Sequence, residues 1–94
     1  MIVVIAGVAG PSGLQRQFFR GMITNLAAYE AKGRAFVDRY RSDDAELSIY
    51  SLEIGNDAEV SAGEFTIEYT DAQGDIIHRA EFFDFEPRNY GADD

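Results

Sequence analysis

The residues with which this chain could do chemistry are seventeen carboxylates, eight basic side chains and one histidine; its 94 residues include no cysteine. Thiolate metal sites, cysteine nucleophiles and a disulfide framework are therefore excluded. A serine nucleophile needs a base converging on its hydroxyl, and no G-x-S-x-G turn is present. His78 stands in a strand-like segment with no partner apparent in the pattern, so it reads as a structural histidine and not as a general base.

The segment Gly7 to Gly13 superficially offers phosphate chemistry, because an apolar run leads through glycines towards a helix start. A P-loop requires Lys and then Ser or Thr after its last glycine, whereas Leu14 and Gln15 follow Gly13. The glycines are also wrongly spaced for a dinucleotide fingerprint. A tight turn is the expectation. Asp71 and Asp75 around Gly74 do not fit a twelve-residue calcium loop and read as a hairpin turn. A carboxylate pair for glycoside hydrolysis lacks the aromatic cleft it would need, and Trp is absent. We expect no enzyme, no cofactor and no metal.

Charge is the more specific signal. Arg16, Arg20, Lys32, Arg34, Arg39 and Arg41 face only Glu30 and Asp38 over residues 1–41, a net +4; from residue 42 onward Arg79 and Arg88 face fifteen carboxylates, a net −13. The whole chain carries −9. Such asymmetry points to a charged partner, and the weak basic excess disfavours nucleic acid as a direct ligand. The expected partner-binding residues are Asp43, Asp44, Glu46, Asp57, Glu59, Glu64, Glu68, Asp71, Asp75, Asp84 and Glu86: Glu64 and Glu68 stand on one face of a strand, which Arg79 interrupts, and the loop carboxylates, with Asp93 and Asp94, line one rim.

The elements that position them follow from periodicity. At this size the chain forms a single small acidic domain over residues 1–94. Ile2 to Ala6 is a β-branched apolar run, expected as a strand in the middle of the sheet. It is too short to span a membrane, and no cationic segment precedes it, so a cytoplasmic location with no membrane contact is expected. Ser12 caps a helix running to about Lys32 with Gly33 as its stop. That helix buries Leu14, Phe18, Met22, Leu26 and Tyr29, and Phe36 to Tyr40 continue as helix. Leu47 to Ile54 reads as a strand with Ser48, Tyr50, Leu52 and Ile54 on one face. Glu64 to Thr70 alternates strictly and pairs with residues from Asp75 to Phe83 as a hairpin. A four-residue loop, Asp71 to Gly74, sets Thr70 against Asp75, Ile67 against His78 and Glu68 against Ile77. Residues 84–94 are expected as a loosely held acidic tail.

The resulting fold class is α+β: an N-terminal strand, one main amphipathic helix, then an antiparallel β-meander packed on the helix as a two-layer sandwich. A small, cysteine-free, acidic domain of this kind has the general character of phage-borne inhibitors of host defence, such as anti-CRISPR or anti-restriction proteins, although no family motif is present. The functional expectation is a non-enzymatic protein, monomer or homodimer. It binds and inhibits a protein with a basic nucleic-acid-binding groove, such as a nucleic-acid-binding defence complex. The alternative is an accessory or assembly domain whose basic N-terminal helix binds an anionic partner.

Overall fold

A computed structural model describes residues 1–7, 10–41, 46–71 and 76–93. The protein is α+β, with an N-terminal strand, helices and a five-stranded mixed sheet. In chain order the elements are β1 (Ile2–Ile5), α1 (Gly13–Thr24), α2 (Leu26–Asp38), β2 (Ser48–Ile54), α3 (Asp57–Ser61), β3 (Phe65–Thr70), β4 (Ile77–Phe83) and β5 (Glu86–Asp93). The sheet order is β1-β2-β3-β4-β5; β1 runs parallel to β2 and the remaining neighbours are antiparallel. The apolar N-terminal strand therefore lies at an edge and not in the middle, and Ile2, Val3 and Val4 are exposed.

Ser12 starts α1 as expected. Its hydroxyl accepts from the Gln15 amide at 3.0 Å, while Gln15 Oε1 accepts from the Ser12 amide at 2.8 Å, a reciprocal capping box. The other end of the same side chain is buried: Gln15 Nε2 donates to Ala6 O at 2.7 Å and Gly55 O at 2.8 Å. One glutamine thus ties the ends of β1 and β2 to the start of α1. It takes the buried first-turn place expected for Leu14, which is 40% exposed.

The single long helix is two. Thr24 Oγ1 donates to Arg20 O and Asn25 Nδ2 donates to Gly21 O, so adjacent polar side chains bond the preceding turn's carbonyls where Asn25 leaves helical geometry. The break changes which residues point inward. Met22 is fully buried, whereas Phe18, Leu26 and Tyr29 are half-buried, and α2 sends Gly33, Phe36 and Val37 into the core. Gly33 does not stop the helix; α2 runs on to Asp38.

The core lies between the helices and one sheet face, where Leu52, Ile54, Phe65, Ile67, Tyr69, Ala80 and Phe82 are buried. His78 is buried on the same face, its Nδ1 2.8 Å from Tyr90 Oη. The hairpin register differs from the expected one by two residues: Thr70 pairs with Ile77, Ile67 with Ala80 and Glu68 with Arg79. An even slip keeps every side chain on its expected face. In β2 a bulge at Tyr50 breaks the expected alternation, so Ile49, Leu52 and Ile54 face inward while Ser48, Ser51 and Glu53 face outward.

Where a tail was expected, Glu86–Asp93 pairs with β4. Pro87 sits near the start of this edge strand, beside a bulge, where a missing N–H is tolerated. The β4–β5 turn, Asp84-Phe85, has φ of 53° and 62°, a left-handed pair unusual for these residue types. It is held from outside the hairpin: Asp84 N donates to Ala62 O, Phe85 N donates to Gly63 O, and the Phe85 ring packs on Phe18 and Tyr29.

Candidate functional site

The sheet face away from the helices carries the charge. Cross-strand register places Val4, Glu53, Thr66, Glu81 and Asn89 in one row, and Ile2, Ser51, Glu68, Arg79 and Gly91 in the next. Glu64, directly before β3, continues the outward side of that strand. Thr66 is thus surrounded by four carboxylates, with Glu64 and Glu68 along its own strand and Glu53 and Glu81 on the strands either side. With a rise of about 3.4 Å per residue and strands about 4.8 Å apart, neighbouring members of this diamond stand roughly 8 Å from one another at the backbone.

Glu53, Glu64 and Glu81, with Val4, Phe83 and Glu59, line a depression of about 390 Å³ at the end where β1 and β2 finish and β3 begins. Burial raises the Glu53 carboxyl above its ordinary value, and the charge of Glu68 pushes it the same way; Arg79 opposes this and Glu81 adds to it. Glu68 is partly engaged, accepting from Ser51 Oγ at 2.5 Å. Arg79, on this face, lies across Gly91 and forms an ion pair with Asp93. Among the described residues no group of three or more His, Asp or Glu side chains is placed to hold a metal ion. What the arrangement suits is one or more ammonium or guanidinium groups laid over a polar floor.

Among the described residues the expected loop carboxylates divide between the two ends of the sheet and do not form one rim, while Glu68 lies within the outward face. Asp57, Glu59, Glu64, Asp84 and Glu86 gather at the end bearing α3, since β2 and β4 finish there and β3 and β5 begin there. Glu46 and Asp71 lie at the opposite end, a strand length of about 20 Å away. Asp43, Asp44 and Asp75 lie outside the described residues. Several of these carboxylates also have local duties. Asp57 accepts from Ser12 Oγ at 2.6 Å, Glu59 caps α3 by accepting from the Asn56 amide at 3.1 Å, and Glu86 pairs with Lys32 at 3.0 Å.

Glu53 and Glu81 are functional candidates missing from the expected set. Their signal was present, because each alternates with buried neighbours, Leu52 and Ile54 or Ala80 and Phe82. Of the basic residues in the first part of the chain, Lys32, Arg34 and Arg41 pair with Glu86, Glu30 and Asp38. Arg34 also donates to Leu47 O at 2.6 Å. These three residues of the alternative cationic surface are therefore locally engaged. No described helix is long and apolar enough to cross a membrane. Comparison with models of known families, with characterised proteins and with solved structures finds no match.

Proposed function

We propose that this protein acts by binding, without turnover, and that its carboxylate-bearing sheet face and α3 end seat on a basic protein surface that otherwise holds nucleic acid. It would inhibit by occupation, in the manner of phage-borne anti-CRISPR or anti-restriction proteins, within the cytoplasm. The observation that carries this reading is the diamond of Glu53, Glu64, Glu68 and Glu81 around Thr66, with Arg79 in the neighbouring row turned to Asp93.

The spacing supports mimicry in part. DNA presents one charge per about 1.7 Å of axis over two strands, denser than one sheet face alone supplies. Asp57, Asp84 and Glu86 at the same end add charge beyond the diamond. Rim charges govern encounter, and lasting contact depends on apolar anchors. Tyr50 and Phe85, 39% and 40% exposed, are available for that role; Tyr69 is fully buried and is not. Competition tests the reading. A basic partner captured by this chain should lose its nucleic acid as the chain is added; simultaneous, independent binding of both would refute it.

A further inference from the structure

The two edges of the sheet differ in kind. The β5 edge is guarded by Pro87, by a bulge that leaves Arg88 unpaired, and by Glu86 and Asp93, all features that discourage a further strand. The β1 edge has none of them. It is Ile-Val-Val-Ile, uncharged and β-branched, with Ile2, Val3 and Val4 52%, 36% and 48% exposed. Among the described residues no strand lies on its outer side.

The direction of its backbone follows from one bond. Ala6 N donates to Ile54 O at 2.9 Å, so residue 6 turns towards β2 and, by alternation in a parallel pair, Val4 and Ile2 do the same. Val3 and Ile5 therefore present their N–H and C=O groups on the free edge. Their side chains point to the helix side, as do those of their register partners Leu52 and Ile54, while Val4 points to the open side beside Glu53. A strand laid along this edge would stand two spacings, about 9.6 Å, from β2. That distance is within the combined reach of a long basic side chain and Glu53.

We propose that the β1 edge receives an extended segment of a basic protein, which pairs with Val3 and Ile5 through its backbone. Every second residue is apolar and covers the helix side, and the intervening residues are Lys or Arg, reaching over Val4 to the carboxylates beside it. This rests on the reading above that the partner is basic, and adds how it is held. Charge decides for such a segment over a second copy of this chain. Self-pairing of β1 would bring two faces of the same acidic character together, in a chain of net charge −9, with no cation to meet Glu53.

The test uses the full chain and a capped seven-residue peptide of alternating valine and lysine, with binding followed through the Val3 and Ile5 amide resonances. The peptide should protect both amides from hydrogen exchange. N-methylation of one alternate set of its amides, the valines for an antiparallel strand or the lysines for a parallel one, should weaken binding by at least about tenfold, while methylation of the other set should not. Replacing its lysines by glutamate, or Val4→Lys in the protein, should weaken binding comparably. Val4 is half exposed, so that variant keeps its core. If the lysine peptide binds and is released by salt but neither methylated set matters, the edge proposal fails while the acidic-face reading stands. Equal binding of the glutamate peptide overturns the basic segment. A dimer of the free protein abolished by Val4→Lys assigns the edge to a second copy instead.

Discussion

Gly33, in the middle of α2, lies directly beneath the hydroxyl of Tyr69: a Cβ at position 33 would stand 2.5 Å from Tyr69 Oη and 3.4 Å from the Phe82 ring. That hydroxyl donates to Glu30 O at 2.7 Å, so the absent side chain and the buried phenol are two halves of one helix-to-sheet contact. Burial pushes the phenol far above its ordinary value, and it stays protonated as the donor.

In an exposed helix Gly→Ala gains about 1 kcal/mol, but here Gly33→Ala should instead destabilise by about 1–3 kcal/mol through overpacking. Tyr69→Phe alone should cost about 1 kcal/mol for the lost hydrogen bond. In the Tyr69→Phe background Gly33→Ala should cost clearly less, because the oxygen it meets is gone. A double-mutant cycle by urea unfolding checks this, and strict additivity would refute the contact.

Gln15→Ala should cost about 1–3 kcal/mol, since it strands the Ala6 and Gly55 carbonyls and removes half of the Ser12 capping box. Leu14→Ala, at a 40% exposed position, should cost under about 1 kcal/mol. The opposite ranking in urea would mean that α1 is rotated from the orientation described.

The order strand, helix, meander could be read from periodicity, as could the Ser12 cap and the inward set Phe65, Ile67, Tyr69, His78 and Ala80. Other features could not, each for a physical reason. Any even slip of the hairpin preserves faces, so alternation alone could not separate Ile67 opposite His78 from Ile67 opposite Ala80. An apolar run reports a strand but not its neighbours, so Ile2–Ile5 looked central although among the described residues it pairs only with β2. The fifth strand was hidden because Pro87 and the carboxylates around it resemble a tail, and only its pairing with β4 shows otherwise. For the site, the excess of acid was plain in the sequence, but its layout was not. Glu53 and Glu81 meet across Thr66 only once β2, β3 and β4 are in register.

Asp84 sits at φ 53° in a turn whose geometry suits glycine or asparagine. Asp84→Gly should stabilise the fold by up to about 1 kcal/mol by releasing left-handed strain. Phe85→Gly should not, because it also removes the ring contacts with Phe18 and Tyr29 that pin the turn. Thermal unfolding of the two variants separates strain from packing.

The raised Glu53 carboxyl sets a sign for pH dependence. A carboxyl that holds its proton more tightly folded than unfolded carries no penalty below the unfolded value; the penalty grows as pH rises from there through the folded value. Glu53→Gln should therefore stabilise the protein at pH 7, and the gain should fade as the solution is acidified below the ordinary carboxylate range. Urea unfolding of both proteins at neutral and acidic pH measures it. A loss of stability at pH 7 would show that the charged Glu53 is held by favourable partners.

The central claim is that the outward carboxylates of β2, β3 and β4 are a binding surface and not only a solubilising one. The most direct measurement compares the affinity of a captured basic partner for the wild-type chain and for the combined variant Glu53→Gln, Glu64→Gln, Glu68→Gln and Glu81→Gln, at about 50 mM and about 500 mM salt. The account predicts that the four substitutions weaken binding by at least about tenfold at low salt and flatten its salt dependence, while the variant unfolds no more easily than wild type. Unchanged affinity and an unchanged salt slope in a folded variant would contradict it.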